Sequence, residues 1–216
     1  MLGECEAGLA QVSVTSMNFI KTLSQRDKKM LENLVYCHKT VFPDSLQNML
    51  GDQYLKKSFY WYLINHEKRG ILVFQRGRRI IGFLTMRQSD DIDNYVKYIY
   101  KTVMRCFISK PTLLLNFSLL KKMLKYLKPN QSFRTRKKHI ELVTIGVLPS
   151  FVNKGIGRRL LKEFDEYAKN KKISLVKLYV LKDNKKSVNF YFANGWVKKA
   201  INFGEYDLFE KFLNCV

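Results

Sequence analysis

The sequence predicts a mixed α+β domain, a central sheet with helices on both sides, and three observations predict it. Apolar, β-branched runs of strand length recur at 71–75, 80–87, 140–148 and 173–181. Among them lie stretches whose apolar residues return at helical spacing. The order of the two kinds is β, α, α, β, β, insertion, β, α, β, α, β, β, which suits a mixed sheet. A chain of 216 residues, 46% of them hydrophobic, suffices for one buried core and is short for two full domains. Residues 1–216 are therefore read as a single domain, with an insertion at about 88–138.

Residues 1–11 carry no pattern, and 12–20 suit a first strand. Ser24, followed by Gln25, Arg26 and Asp27, is an N-cap signal, and Met30, Leu31, Leu34, Val35 and Val41 recur at helical spacing up to Phe42-Pro43. Asp44-Ser45 can cap a second helical stretch through Leu46, Met49, Leu50, Tyr54 and Leu55, interrupted at Gly51. It runs on through Phe59, Tyr60, Trp61 and Tyr62 and is expected to close at Gly70. The runs 71–75 and 80–87 read as a hairpin turning at Gly77, both strands central. The insertion opens with Asp90, Asp91 and Asp93, continues as a Tyr/Lys-rich helix over 95–107, breaks at Pro111 and resumes as a basic amphipathic stretch over 113–127. Then come a strand at 140–148, a helix at 155–170, a strand at 173–181, a short helix at 184–193 and a hairpin of 197–203 with 205–212 around Gly204.

The net charge of +21 is unevenly spread: residues 88–138 hold 12 Lys and Arg against 3 Asp and Glu, while 139–170 hold 5 against 4. Such a field favours anionic ligands of any kind, and a solvated lysine-rich surface produces the same count. Cys5, Cys37, Cys106 and Cys215 are scattered, with no CxxC and no Cys/His cluster at zinc spacing, so free thiols and no metal are expected. There is no run of eighteen apolar residues and no signal-like start, so a cytoplasmic protein is expected.

The most informative stretch is 140–161, IELVTIGVLPSFVNKGIGRRLL. A strand, a Gly-x-Gly turn and a helix start follow in the order that presents free N–H groups to a phosphate. Gly155 and Gly157 lack a Cβ and allow close approach, and Lys154, Arg158 and Arg159 add positive charge. By itself such a turn is also just a tight strand-to-helix connection. Downstream stand Asn184, Tyr191, Gly195 and Trp196 in LYVLKDNKKSVNFYFANGW.

With both stretches, the sequence resembles the GNAT superfamily of acyl-CoA N-acyltransferases, in element order over 12–212 and closely over 140–198. The family's phosphate loop, Gln/Arg-x-x-Gly-x-Gly/Ala, is matched by Val152, Asn153, Lys154, Gly155, Ile156 and Gly157, with Val152 departing from the pattern. The resemblance implies a mainly antiparallel sheet whose fourth and fifth strands splay apart, with acetyl-CoA as co-substrate and no metal. It places the diphosphate on residues 153–158, the pantetheine arm on main-chain groups of Ile145 and Val147, and the Ile145 N–H opposite the thioester oxygen, where charge develops. Gly146 is a candidate for the bulge that opens the strand. Asn184 supplies an amide for the pantetheine, or simply the cap of its helix.

The same resemblance makes Tyr191 a general acid for the leaving thiolate and Glu141 a base, directly or through water. Their plainer readings are a core tyrosine and a strand-end glutamate paired with a cation. His38, His66 and His139 are candidates by residue type only. For the acceptor, residues 38–45 look like acetyltransferases of bacterial polysaccharide pathways, which implies a small amine, an amino sugar or nucleotide-linked amino sugar, with Tyr60, Trp61 and Tyr62 available to stack on it. A protein amine is the alternative. So is a noncatalytic binder of RNA or of anionic membrane, the latter through 95–127. Nucleic acid is the less expected partner, and the oligomeric state is open, a dimer included.

Overall fold

The structure, a computed structural model, describes residues 18–24, 28–121 and 137–214. Seven strands form one sheet: β1 (Asn18–Thr22), β2 (Arg69–Arg76), β3 (Arg79–Gln88), β4 (Ile140–Val147), β5 (Leu175–Leu181), β6 (Val197–Phe203) and β7 (Tyr206–Phe212). Their order is β1-β2-β3-β4-β5-β7-β6, and every neighbouring pair is antiparallel except β4 with β5. The α+β class and the mainly antiparallel sheet are those the sequence leads one to expect.

Strands β2 and β3 are buried along nearly their whole length, because helices cover both faces and a two-sided strand needs a continuous apolar run. One face packs against α1 (Lys28–Val41) and the chain after it. There α2 (Leu46–Met49) is capped by Ser45, whose hydroxyl accepts from Asn48 N–H. Gly51, at φ +93°, breaks it before α3 (Asp52–Tyr54), a π-helical turn Leu55–Tyr60 and α4 (Trp61–Ile64). The other face packs against α6 (Ile156–Asn170), whose Ile156 and Leu160 lie over Gly82. The short α7 (Lys185–Phe192) follows β5.

Several expectations change. The first strand occupies 18–22 within the described residues, and 12–17 lie outside them, as do 25–27 after the Ser24 cap signal. Gly70 does not close a helix: α4 ends at Ile64, and Gly70 lies inside β2, where the Met86 side chain would sit 3.1 Å from a Cβ. The insertion helix α5 spans Ile92–Ser109, earlier than its apolar pattern indicated. Its start is held by Asp91, which accepts from Arg69 in a buried pair, the Nη2 to Oδ1 distance being 2.6 Å. A 3-10 turn Pro111–Leu115 and helical residues 117–121 follow; of the amphipathic stretch at 113–127, the part from 122 on lies outside the described residues.

Candidate active site

Strand β4 divides into two parts. Ile140, Glu141 and Leu142 pair with β3 on one edge and with Val176, Lys177 and Leu178 of β5 on the other. Beyond Leu142 the pairing with β5 ends, while β3 still accompanies β4 to Val147 and β5 still accompanies β7 to Leu181. The two parallel strands therefore splay, and the gap between them opens at residues 143–147. The register of β4 on β3 slips between Leu142 and Thr144, leaving Val143 as the extra residue. Gly146 is not the bulge. It lies where α1 crosses the sheet, and a Cβ there would come within 3.0 Å of Phe42 and Val41.

The register also says where main-chain groups point. Leu148 N–H donates to the Ile81 carbonyl at 2.9 Å, and in an antiparallel ladder the bonded residues alternate. Leu148, Gly146 and Thr144 thus turn their N–H and C=O groups to β3. Ile145 and Val147 turn theirs to the opposite edge, into the gap. That gap has a row of donors and acceptors along one wall.

At the end of β4 the chain passes a 3-10 turn (Pro149–Phe151) and reaches α6 through two left-handed residues, Asn153 at φ 62° and Gly155 at φ 75°. Glycine at 155 is the residue that tolerates this conformation, and nothing lies within 4 Å of where its Cβ would be. The first bond of the helix runs from Arg159 N–H to the Gly155 carbonyl, 3.1 Å. The N–H groups of Ile156, Gly157 and Arg158 are therefore outside the helical ladder, at the positive end of a fifteen-residue helix with no acidic residue in its first turn and no side-chain cap. Lys154 and Arg158 are exposed beside them. Arg159 instead lies over the Phe74 ring, 4.7 Å away. Gly157 is close-packed: a Cβ would meet Phe190 of α7 at 3.0 Å, so this glycine joins the two helices. Val152, the position that departs from the family pattern, is exposed. An open loop of unpaired donors flanked by cations fits a diphosphate.

Asn184 caps α7, its side-chain oxygen accepting from Ser187 N–H at 3.1 Å. Its amide NH2 is not part of that bond. Tyr191 is buried against Trp196, Phe209 and Phe190 at ring distances of 6.0, 6.0 and 5.4 Å. Burial raises its phenol well above the ordinary range, which keeps the proton on at any working pH.

Glu141 is only 5% exposed and both its oxygens are engaged: Arg87 Nη2 donates to Oε1 and Oε2 at 2.9 Å, and Nε to Oε2 at 3.2 Å. The pair belongs to a row of alternating charge across four strands, with Arg87 opposite Glu141, Glu141 opposite Lys177, and Lys177 opposite Glu210. Lys177, itself buried, meets the partly buried Glu210 at 2.7 Å. Burial works against ionised Glu210, but Lys177 and Lys199 outweigh it and hold its carboxyl low. Tyr179 stands two residues further along β5, just past the point where the strands part. Its phenol is raised by burial first and then by the negative charge of Glu141. Sequence reasoning missed Arg87 and Tyr179. Their only signal was a shared sheet face, readable once the bulge at Val143 is known.

The histidines take other positions. His38 is buried in a ring cluster with Phe42, Phe59, Tyr60 and Phe83, its Nδ1 2.7 Å from the Tyr60 hydroxyl and its Nε2 3.2 Å from Ser45 Oγ. Burial pushes its pKa down to about 4. His139 is buried, lowered chiefly by desolvation, with Nδ1 on the Lys137 carbonyl. The Lys68 N–H donates to Nδ1 of His66. Of the aromatic trio, Tyr60 is fully buried, Tyr62 stacks on Tyr98 at 3.7 Å, and Trp61 is half exposed. Among the described residues no group of His, Cys, Asp and Glu has a metal site's composition, and no helix is long and apolar enough to cross a membrane.

Residues 118–196 match the profile of the acetyltransferase (GNAT) family. No curated protein sequence matches the chain. Among solved structures, the PaiA N-acetyltransferase of Thermoplasma acidophilum in complex with coenzyme A has 18% identity and a TM-score of 0.53, over 91% of this chain and 99% of that one. NAA60 of Arabidopsis thaliana in complex with acetyl-CoA has 16% identity and a TM-score of 0.55, over 91% and 98%. The ribosomal-protein-S18-alanine N-acetyltransferase of Escherichia coli has 13% identity and a TM-score of 0.52, over 92% and 94%. At these identities the structures testify to the fold. The segment that matches the family profile contains β4, the glycine loop, β5 and the Tyr191 helix, and the solved structures share the fold around it.

Proposed function

We propose that this protein transfers the acetyl group of acetyl-CoA to a primary amine by direct attack, and that the amine belongs to an amino sugar or a nucleotide-linked amino sugar. The observation that carries the reading is the opening of β4 from β5, with the main-chain groups of Ile145 and Val147 turned into the gap and the uncapped α6 start at its end. Acetyl-CoA supplies the activated thioester. The loop 153–158 holds its diphosphate, Ile145 and Val147 bond its pantetheine as a strand would, and the Asn184 amide adds a further contact. Val152 contributes backbone only.

The amine nitrogen bonds to the thioester carbonyl carbon, the carbonyl oxygen gains negative charge opposite the Ile145 N–H, and the C–S bond then breaks. Tyr191 gives its proton, or a strong hydrogen bond, to the departing thiolate and regains a proton from solvent. The amine loses its own proton towards Glu141 through water. Because Arg87 occupies both Glu141 oxygens, that carboxylate acts by accepting through a relay rather than by direct contact. The half-exposed Trp61 supports a sugar acceptor, offering a ring face near the α1 side of the sheet.

Two measurements test this. Saturating acetyl-CoA, at about a hundred times Kd, is expected to raise Tm by roughly 5–10 °C. Thiol release is then measured with UDP-amino and dTDP-amino sugars, peptide amines and aminoglycosides, product mass gain identifying the acceptor. Absence of a thermal shift removes the coenzyme assignment; turnover confined to peptide amines replaces the acceptor.

A further inference from the structure

The outward face of the insertion combines two kinds of side chain that rarely share a surface. Helix α5 turns Tyr95, Ile99, Val103 and Phe107 into the core. Its opposite arc carries Ile108 beside Lys97, Lys101 and Arg105, with Val96 and Tyr100 on the flank, all exposed. Past the exposed Lys110, Leu115 and Phe117 project outward while Leu119 turns in. Leu115, Phe117 and Ile108 are the three most exposed large apolar side chains among the described residues, at 86%, 81% and 76%. They lie within ten residues of one another, whereas exposed apolar residues scattered singly would need no explanation. The sequence has no acidic residue between Asp93 and Glu141.

We propose that residues 96–117 dock on an anionic lipid bilayer, Ile108, Leu115 and Phe117 entering the boundary between headgroups and acyl chains while Lys97, Lys101, Arg105 and Lys110 meet lipid phosphates. Charge complementarity selects an anionic partner. The aliphatic tips select lipid over RNA, since stacking on bases uses planar rings and has no use for Ile108 or Leu115. The α5 side that faces the sheet carries Tyr95, whose ring lies 4.5 Å from the Arg87 guanidinium that binds Glu141. Docking would therefore bring the β4 region to within one helix of the lipid surface. This surface is independent of acetyl transfer and stands or falls without it.

The experiment is flotation of the full-length protein with neutral phosphatidylcholine vesicles and with vesicles containing about 30 mol % phosphatidylglycerol, at about 0.1 M and about 0.5 M salt. Binding to the anionic vesicles alone is expected, weakened at the higher salt. The double variant Leu115→Ser/Phe117→Ser is expected to bind roughly tenfold or more weakly, with Tm and acetyl-CoA response unchanged. Lys97→Glu/Lys101→Glu/Arg105→Glu is expected to abolish the lipid preference. No binding at low salt overturns the proposal, as does equal binding by the apolar variant. A Tm several degrees lower in that variant overturns it too, because Leu115 and Phe117 would then be packed within the fold. Salt-sensitive RNA binding indifferent to the apolar changes assigns the surface to nucleic acid, and a dimer that the apolar variant dissolves assigns it to a second copy; either overturns the lipid reading.

Discussion

From Ile140 to Leu142, strand β4 is paired on both edges and buried, and its side chains include one member of an ion-paired row. From Val143 to Val147 the same strand is paired on one edge only and mostly half-exposed. The first part is scaffold and the second is candidate site, and a single extra residue, Val143, stands at the boundary. A sheet ordinarily consumes every strand edge, and an unpaired edge invites adventitious pairing. Here the opening starts at a defined residue, where the Arg87–Glu141 and Lys177–Glu210 pairs lie across the four central strands. Buried ion pairs seldom add much stability over apolar residues of the same volume, yet breaking one is costly. Their placement at the apex of the gap suits a device that specifies where the strands part.

The comparison is broken most severely by uncoupling the closed part. Glu141→Gln leaves Arg87 buried without its counter-charge, and a loss of about 3–5 kcal/mol in unfolding free energy is expected by urea denaturation. The double change Arg87→Met/Glu141→Leu is expected to recover most of that stability. If acetyl transfer returns with it, Glu141 serves the scaffold and not the proton transfer; if turnover stays lost in the refolded variant, the carboxylate acts in the reaction.

A second test lies under the open part, where Phe83, opposite Gly146, stacks on His38. The folded pKa of about 4 lies below the ordinary 6.5, so the unfolded chain binds the extra proton between these values. Stability is full above about pH 6.5 and falls as pH drops towards 4, by up to roughly 3 kcal/mol from this group. His38→Gln is expected to flatten that part of the urea-unfolding profile, even if it is less stable at neutral pH. A profile that keeps its slope would place the acid sensitivity elsewhere.

The smallest of these effects on the free-energy scale distinguishes chemistry from packing at Tyr191. Tyr191→Phe keeps the ring against Trp196 and Phe209 and is expected to leave Tm nearly unchanged while lowering kcat on the order of a hundredfold. Because burial raises the phenol, Tyr191 contributes no loss of rate as pH rises towards 10. Unchanged kcat and pH profile would return Tyr191 to the core.

Much of the fold was legible because its signals are local. The glycine at 155 answers a left-handed backbone, Ser45 and Asn184 cap helices where their spacing indicated, and the hairpin turns at Gly77 and Gly204 as its residue types require. Helix closure at Gly70 and a bulge at Gly146 were misread for one reason: a glycine required by a neighbour's side chain, Met86 or Phe42, looks in sequence like a glycine required by its own backbone. The burial of His38 and Tyr60, and the start of α5 at Ile92, rest on contacts between distant segments.

The sequence by itself determined the order of strands and helices, the phosphate-type loop at 152–157 and the residue types near it, since strand and helix periodicity and glycine conformation act over a few neighbours. Only the tertiary structure decided what Glu141 touches. Its partner Arg87 is 54 positions away, and the pair forms because one extra residue at Val143 sets the register of β4 on β3. A shift of one residue moves a side chain to the other face of a sheet, so the state of that carboxylate is a property of the register, which no local pattern in the sequence contains.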